Sequence, residues 1–250
     1  MTDLTGQVCL ITGAARGIGA EIAQEAAAAG AAVAINYNAS AAAATTLRHS
    51  IEERYQVPVM TVAADISDAW AVDGMFAQVE SKLGPVDLLV NNAGISQRGL
   101  LIDTTDEEWE KVMSINLRGP FLCCRRALAP MIQGKYGRIV NIASVWGIRG
   151  AAYESIYAAA KGGMIALTKS LAREMGTAGI TVNAIAPGPV MTEMLASGLD
   201  AQELRLLTDE IPAGRLGHAK DIAAMCVFLL SKAAGFINGE IIVIDGGWSV

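Results

Sequence analysis

The sequence predicts an α/β fold of the doubly wound type, with helices on both faces of a seven-stranded parallel sheet. Short runs rich in Val, Ile and Leu alternate with longer helical patterns along the chain. Runs such as VCLIT, VDLLV and RIVNIA are apolar on both faces, which is typical of buried parallel strands. Alternation of strands with helices selects a parallel sheet, because each strand needs a crossover before the next.

The strands are predicted to be short, with helices in the gaps between them. They are expected near residues 7–12, 32–36, 57–63, 86–90, 137–143, 180–186 and 240–244. The longest helical patterns cover 105–133 and 155–178. The absence of a repeat or linker predicts one domain, residues 1–250. The irregular stretch 187–218 is long for a plain connection, and we expect it to be a lid on the substrate side.

Composition narrows the classes of partner. A formal net charge of −6 at pH 7 gives no reason to expect binding to nucleic acid or to an anionic membrane. The N-terminus MTDLTGQVCL has no basic region before its first strand, and no stretch reads as a membrane span, so we expect a cytoplasmic protein. The four cysteines lack metal-ligand spacing, so we expect reduced thiols and no metal site.

The first strand runs directly into a glycine-rich turn, 12-TGAARGIG-19, and then into a helical pattern. Gly13, Gly17 and Gly19 permit a tight turn and a close approach of backbone amides to a pyrophosphate. The N-terminus of the following helix also attracts anions. A glycine-rich turn alone is equally typical of an ordinary loop, but the strand before it and the helix after it favour phosphate binding.

A second signal is the pair Tyr157 and Lys161, with Ser144 thirteen residues before the tyrosine. On a helix, positions i and i+4 share a face, so the ammonium can lie beside the phenol. Because a neighbouring cation favours the phenolate, we expect Lys161 to lower the pKa of Tyr157 from about 10. A tyrosine and a lysine at this spacing are also common on solvated helix surfaces, so the pair needs support from elsewhere in the chain.

Together these segments resemble the short-chain dehydrogenase/reductase family, and the resemblance covers essentially all 250 residues. The matching motifs, in family order, are 12-TGAARGIG-19, 91-NNAG-94, Asn116 in 113-MSINLRGP-120, Ser144 in 137-GRIVNIAS-144, Tyr157 with Lys161, and 187-PGPVMT-192. The resemblance implies a Rossmann fold and NAD(P)-dependent interconversion of a ketone and a secondary alcohol by hydride transfer. The segments 170-SLARE-174 and 246-GGWSV-250 are most similar to bacterial 3-oxoacyl-acyl-carrier-protein reductases and related carbonyl reductases.

The resemblance also implies a catalytic set. Tyr157 would protonate the ketone oxygen during reduction, or deprotonate the alcohol in reverse. Ser144 would hydrogen-bond that oxygen and stabilise its developing negative charge. Lys161 would lower the pKa of Tyr157 and hold the nicotinamide ribose. Asn116 would hold a water that links Lys161 to solvent, with simple packing on its helix as the alternative.

Cofactor choice depends on the end of the second strand, where an acid would bind the adenosine ribose of NAD. That position holds Tyr37, and Arg16 lies in the phosphate turn, so the resemblance implies NADP(H). Use of NAD(H) stays open, because Asn38 stands where many NADP-dependent relatives carry a basic residue. Asp65 matches an adenine-contacting position but is equally suited to cap the next helix.

The cofactor-binding residues implied by the resemblance are Gly13, Arg16, Gly17, Ile18, Gly19, Tyr37, Asn38, Asp65, Ile66, Asn92, Ala93, Gly94, Tyr157, Lys161, Pro187, Gly188, Val190 and Thr192. The positions expected to line the substrate pocket are mostly apolar: Ser96, Trp146, Ile148, Tyr153, Glu154, Val190, Met191 and Met194. A small ketone or alcohol suits such a pocket, and so does an acyl thioester.

Two questions about partners and activity remain open in the sequence. In the resembling reductases, basic residues at the places of Lys135 and Arg173 dock an acidic acyl carrier protein, whereas solvated helix ends are the alternative. The family resemblance also implies a homotetramer. A catalytically idle NADP-binding regulator is the rival to an enzyme, because fold alone does not determine function.

Overall fold

A seven-stranded parallel sheet organises the computed structural model, which describes residues 2–196 and 198–250. The strands are β1 (Val8–Ile11), β2 (Ala32–Tyr37), β3 (Val59–Ala63), β4 (Leu88–Asn91), β5 (Gly137–Ile142), β6 (Ile180–Pro187) and β7 (Ile241–Ile244). Their order in the sheet is β3-β2-β1-β4-β5-β6-β7. All seven predicted strands are confirmed, each to within two residues at either end.

Helices cover both faces of this sheet. They are α1 (Gly17–Ala28), α2 (Ala41–Tyr55), α3 (Ala69–Leu83), α4 (Asp106–Met113), α5 (Gly119–Gly134), α6 (Trp146–Arg149), α7 (Ser155–Met175), α8 (Glu193–Ala196), α9 (Ala201–Asp209) and α10 (Ala219–Leu230). One hydrophobic cluster contains buried residues of α1, α2 and α10, and another contains those of α3, α5 and α7. The strands feed both clusters alternately: Cys9 and Ile11 point into the first, and Val8 and Leu10 into the second. The doubly wound fold is therefore confirmed.

The strand order reverses at β1, which pairs with β2 on one side and with β4 on the other. The connections from β1 and from β4 therefore leave the sheet in opposite directions. A crevice opens at such a point, at the carboxyl ends of the strands, and α/β proteins bind their ligands there. This places the turns after β1 and β4 at the mouth of the candidate site.

The predicted helix over 105–133 is wrong in its middle. A π-helical segment, Ser114–Arg118, separates α4 from α5. Segments of this kind insert one extra residue into a helical turn and are frequent at functional sites. Asn116 lies at the centre of this segment, and its side chain is completely buried.

A chain of buried amides joins the centre of the sheet to α7. The Nδ2 of Asn91 on β4 donates to Oδ1 of Asn141 on β5 at 2.8 Å, and Nδ2 of Asn141 donates to Oγ1 of Thr168 at 2.9 Å. Because an unpaired polar group in the core costs about 1–3 kcal/mol, these bonds hold α7 in one register on the sheet. The position of Tyr157 and Lys161 follows from that register.

The described part of 187–218 contains α8 and α9, which are connected to the fold at several points. Val190 forms a parallel bridge with Gly217, and the Ala213 amide donates to the Gly246 carbonyl at 3.0 Å. The first of these contacts closes the segment on itself, and the second ties it to the C-terminal tail. A role as a lid stays a prediction.

Two further observations concern the described residues. None of their helices combines the length and the apolar character needed to cross a membrane. No group of three or more His, Cys, Asp or Glu side chains among them is arranged to hold a metal ion. The cysteines Cys9, Cys123, Cys124 and Cys226 are buried free thiols, as expected for small apolar core residues.

We predict opposite effects of two glycine-to-alanine changes in helices. Gly74 in α3 is exposed, and a Cβ there would meet nothing within 4 Å, so Gly74→Ala should raise the free energy of unfolding by about 0.5–1 kcal/mol. A Cβ on Gly147 in α6 would lie 2.7 Å from the Lys161 carbonyl carbon. Gly147→Ala should therefore cost about 1–3 kcal/mol. Urea unfolding of both variants measures this, and a stabilising Gly147→Ala would contradict the close packing of α6 on α7.

Candidate active site

The turns after β1 and β4 are held together by Thr12 and Asn92. The Thr12 Oγ1 accepts hydrogen bonds from the amides of Asn92 at 3.0 Å and Ala93 at 3.1 Å. In return, Nδ2 of Asn92 donates to the carbonyls of Thr12 at 2.9 Å and Gly13 at 3.0 Å. This reciprocal set fixes the floor of the crevice. The predicted cofactor residues Asn92 and Ala93 thus support the glycine-rich turn directly.

The glycine-rich turn needs glycine for both shape and space. Gly13 has φ +61°, and a Cβ there would lie 2.8 Å from Cα of Ala93. Gly17 has φ +57° and begins α1, where a Cβ would approach Thr192 of the 187–218 segment at 3.7 Å. Positive φ values of this size strain any residue that carries a Cβ. A side chain in the turn would also fill the space over the start of α1.

The N-terminus of α1 fits a pyrophosphate. Its N-cap residue, Arg16, makes no side-chain capping bond, so the first amides of this helix keep their capacity to donate to an anion. Asn36 on β2 supports the turn from below, because its Oδ1 accepts the Gly13 amide at 3.2 Å. Its Nδ2 donates to the carbonyls of Val62 at 3.3 Å and Ala64 at 3.1 Å. One buried amide therefore joins the turn to two neighbouring strands.

The end of β2 has the residues expected for the adenosine side of a dinucleotide. Nδ2 of Asn38 lies 3.4 Å from Oδ2 of Asp65, which brings the two predicted residues together beside Tyr37. Asp65 does not cap α3. That role belongs to Asp68, whose Oδ1 accepts from the amide of Trp70 at 2.7 Å. Asp65 instead accepts from the amide and hydroxyl of Ser67, so one carboxyl oxygen remains directed toward Asn38.

Arg16 does not contact the end of β2. Its Nη1 donates to Oε2 of Glu193, the first residue of α8, at 2.9 Å. Both side chains are exposed, at 64% and 72%. The cation that the sequence assigns to an additional phosphate is thus paired with a carboxylate of the 187–218 segment.

The remaining predicted cofactor residues border the same crevice. Ile66 packs against Gly119, where a Cβ would meet its Cδ1 at 2.6 Å. Pro187 ends β6, and the Gly188 amide donates to the Ile244 carbonyl at 2.9 Å. Ile18 lies in the first turn of α1, and Val190 is buried beside Gly217. Each of these residues lies at the carboxyl end of a strand or in the segment that follows it.

Asn116, Gly94 and Lys161 meet at the inner end of the crevice. Asn116 bonds the Ile95 backbone in both directions, accepting its amide at 2.9 Å and donating to its carbonyl at 2.7 Å. A Cβ on Gly94 would lie 2.8 Å from Oδ1 of Asn116 and 3.5 Å from Nζ of Lys161. The loop after β4 therefore passes close to both predicted catalytic side chains. The Asn116 side chain is largely occupied by this loop.

Ser144 and Tyr157 lie together at the carboxyl end of β5. Ser144 follows the strand by two residues and is 7% exposed. Burial raises the pKa of Tyr157 to about 12, a hydrogen bond with Ser144 opposes this rise, and the charge of Glu154 adds to it. The Tyr157 pKa is therefore raised, not lowered as expected, because loss of solvation is the largest contribution. The Lys161 Nζ lies 5.7 Å from the centre of the phenol ring.

Lys161 is buried and bonded to the backbone of β5. Its Nζ donates to the Ile142 carbonyl at 2.7 Å, and the side chain is 3% exposed. Burial lowers the pKa of Lys161 to about 8. The ammonium is therefore fixed by a strand carbonyl between Asn116 and Tyr157, and it loses its proton far more easily than a surface lysine.

The outer wall of the site is built from the loop after β4 and the start of α7. Oγ of Ser96 donates to Oε2 of Glu154 at 3.2 Å, and the Gly99 amide donates to the Tyr153 carbonyl at 2.8 Å. Tyr153 has φ +65°, a strained conformation for a tyrosine. Burial raises the pKa of Glu154, while Ser96 and Arg98 oppose the rise. A polar group is thus present in a pocket that the sequence predicts as mostly apolar.

The C-terminal tail reaches this wall as well. The ring of Trp248 packs edge-on against Trp146 with centroids 4.7 Å apart, and its Nε1 donates to Oε2 of Glu210 at 3.1 Å. Trp146 also donates its amide to Oγ of Ser144 at 3.2 Å. The tail, the 187–218 segment and the Ser144 turn therefore meet beside the reacting groups.

Sequence reasoning missed three contributors to this site. Thr12 and Asn36 are isolated polar residues at the ends of apolar strands, and that position was a usable signal. Glu193 gave no signal, because an exposed glutamate at a helix start is common. Its role depends on a contact with Arg16, which is 177 residues away in the chain.

Comparison with known proteins agrees with this geometry. A family model described as enoyl-(acyl carrier protein) reductase matches residues 13–249. The 3-oxoacyl-[acyl-carrier-protein] reductase FabG of Staphylococcus aureus is 40% identical over 95% of this chain and 96% of its own. A (2S)-[(R)-hydroxy(phenyl)methyl]succinyl-CoA dehydrogenase subunit of Thauera aromatica is 39% identical over 99% and 98%.

A solved structure is similarly close. The crystal structure of a blue fluorescent protein from a metagenomic library, in complex with NADPH, has a TM-score of 0.93 and 37% identity, and covers 99% of this chain and 100% of that one. The fold and the crevice define an oxidoreductase of the dinucleotide-binding class. The chain belongs to the short-chain dehydrogenase/reductase family.

We predict that a methyl group at Gly94 disrupts the inner end of the site. Gly94→Ala should displace the buried Asn116 amide, break its bonds to Ile95, and lower kcat by about 10-fold or more, because small misplacements near reacting groups are costly. Gly99→Ala in the same loop is the control, since a Cβ there would meet nothing within 4 Å. Ketone reduction and Tm are measured for both variants. Equal activities would show that the close approach at Gly94 is unimportant.

Proposed function

We propose that this protein reduces a ketone to a secondary alcohol with NADPH, and catalyses the reverse reaction, with Tyr157 as the general acid and base. The observation that carries the proposal is the pairing of Ser144 and Tyr157 at the carboxyl end of β5. Two hydroxyl donors at one point can both bond the same carbonyl oxygen. That oxygen gains negative charge during reduction, so both bonds strengthen as the reaction proceeds.

The proton states of the site suit this direction. With a pKa of about 12, Tyr157 is a protonated phenol near neutral pH and can donate to the oxygen. The buried Lys161 ammonium, near Asn116 and the Gly94 loop, is placed to replace the proton that the phenol loses. Bound NADPH supplies the hydride. The side chains themselves only orient the ketone, exclude water and move the proton.

NADP(H) is the cofactor that the residues fit. The open start of α1 suits the pyrophosphate, and the end of β2 has no carboxylate at Tyr37 or Asn38 to repel a phosphate on the adenosine ribose. Arg16 is the nearest predicted cation for that phosphate. These residues also fit NAD(H), because Asp65 is close to Asn38 and the Asp65 carboxylate can accept hydrogen bonds from free ribose hydroxyls.

For the substrate, the names of the relatives favour a 3-oxoacyl thioester, carried by an acyl carrier protein or by coenzyme A. A free cyclic, aryl or sugar ketone is the second candidate, and the half-buried Glu154 beside Ser96 favours it, since a carboxylate accepts from a substrate hydroxyl. Reduction of an enoyl group, suggested by the description of the family model, makes less use of two donors at one oxygen.

The same proposal extends to the organisation of the protein. Residues 1–250 form one cytoplasmic NADP-binding domain, with 187–218 as the lid on the substrate side. Four subunits are the family expectation, and exposed apolar side chains such as Phe121 and Phe236 are consistent with contacts between subunits. A catalytically idle regulator is disfavoured, because such a protein has no need of the buried Lys161.

Tyr157→Phe tests the proposal. We expect kcat to fall by about 10²–10⁴-fold while NADPH binding is retained, because only the acid is removed. In the unchanged protein, alcohol oxidation should rise with pH toward the Tyr157 pKa of about 12, since it needs the phenolate, and ketone reduction should fall there. Stopped-flow kinetics in both directions and fluorescence titration with NADPH measure these effects. A variant that turns over normally would exclude Tyr157 as the acid.

Docking of an acyl carrier protein at Lys135 and Arg173 needs a separate test, because both residues lie far from Ser144. Both side chains are exposed. Lys135 precedes the amino end of β5 and Arg173 precedes the amino end of β6, so both lie at the opposite end of the strands from Ser144. The six residues of β5 separate its amino end from its carboxyl end by about 20 Å. A docked carrier must span that distance with its thioester arm or serve a neighbouring subunit.

We expect Lys135→Glu combined with Arg173→Glu to lower kcat/KM for an acyl-carrier thioester by about 10-fold at low salt and to leave a small thioester analogue unaffected. Arg54→Glu with Lys82→Glu is the matched control, because these cations occupy the last turns of α2 and α3. Equal losses for both substrates, or none, would assign the enzyme to free ketones or to coenzyme A thioesters.

A further inference from the structure

The ion pair between Arg16 and Glu193 connects the phosphate turn to the 187–218 segment. The distance from Nη1 to Oε2 is 2.9 Å, which is within the range of a charge-assisted hydrogen bond. Because both side chains are largely exposed, the pair contributes little to stability and can be exchanged for a stronger partner. A phosphate carries more charge than a carboxylate and accepts from a guanidinium in the same way.

The carboxylate is held in place by the start of α8. The Thr192 carbonyl accepts the Ala196 amide at 2.9 Å, and Oγ1 of Thr192 accepts the Leu195 amide at 3.4 Å, so Glu193 projects from an ordered turn. Thr192 in turn faces Gly17, the residue after Arg16. The two charged side chains therefore start from backbones that are close together.

Arg16 is the one cation among the predicted cofactor residues at the adenosine end of the crevice, where Asp65 beside Asn38 is an anion. Of the residues predicted to bind the cofactor, Arg16 and Lys161 are the cations, and Lys161 is buried at the far end beside Ile142. Neither Tyr37 nor Asn38 at the end of β2 is a cationic residue. Any electrostatic preference for an additional phosphate therefore depends strongly on whether Arg16 is free to bind it.

We infer that Glu193 sets the cofactor preference by competing with the 2′-phosphate of NADP(H) for Arg16. The inference rests on the proposed function. A guanidinium N–H that donates to the glutamate cannot donate equally to the phosphate, so binding of NADPH breaks the ion pair and binding of NADH leaves it intact. Glu193 consequently weakens NADPH binding and reduces the difference in affinity between NADPH and NADH.

The test is a set of binding titrations on the whole protein. Dissociation constants for NADPH, NADH and 2′,5′-ADP are measured by fluorescence or calorimetry for the unchanged protein and for Glu193→Gln. We expect NADPH and 2′,5′-ADP to bind about 2- to 5-fold more tightly to the variant, the range of an exposed ion pair, with NADH unchanged. The gain should shrink in 1 M salt, where such charges are screened.

Two controls make the result specific. Asp209→Asn removes one negative charge from the same segment at a residue that makes no ion pair with the described residues, and it should leave all three constants unchanged. In a double-mutant cycle, Arg16→Ala should abolish the effect of Glu193→Gln, because the competitor then has nothing to block. An effect that survives Arg16→Ala overturns the inference.

The remaining outcomes are also decisive. An equal gain for NADH and NADPH shows a general charge effect and overturns the competition. Unchanged constants in Glu193→Gln overturn it as well. If the unchanged protein binds neither nucleotide, the proposed function fails, and this result is separate from a failed competition because it appears before any substitution is made.

Discussion

The structure depends on one topological constraint: β1 pairs in parallel with both β2 and β4. Parallel pairing brings the carboxyl ends of all strands to one edge, and the reversal of strand order at β1 leaves that edge open between two turns. Thr12 and Asn92 close the floor of this opening with reciprocal backbone bonds. The segments that follow β1, β2, β3, β4, β5 and β6 then start at this edge, although they come from widely separated parts of the chain.

Burial is the second determinant, because it fixes the proton states of the reacting groups. Loss of solvation raises the pKa of Tyr157 and lowers that of Lys161, so it favours the neutral form of each. The cation was expected to act on the phenol directly, but its Nζ is bonded to the Ile142 carbonyl. A protonated phenol suits ketone reduction. The alcohol direction requires that phenol to ionise, which the same burial opposes.

The fold and the position of the site were predictable from the sequence to different degrees. Seven strands were found because buried parallel strands are apolar on both faces, a local signal that needs no knowledge of tertiary contacts. The glycine-rich turn was found because glycines between a strand and a helical pattern mark a tight turn, and Gly13 and Gly17 do occupy positive φ. In contrast, the π-helical segment at Asn116 breaks a helical pattern without a Pro or Gly signal at its centre. Asn116 in this segment bonds the backbone of Ile95, a long-range contact that no local pattern encodes.

Residues that carry the chemical step and residues that determine specificity differ in their burial. Ser144, Lys161 and Asn116 are buried and bonded to backbone groups, so their geometry is determined by the core. Arg16, Glu193 and Tyr153 are exposed side chains on turns and short helices, where a substitution costs little stability. Cofactor preference and substrate choice can therefore change without disturbing the reacting groups. This explains why the sequence identifies the reaction class more sharply than the substrate.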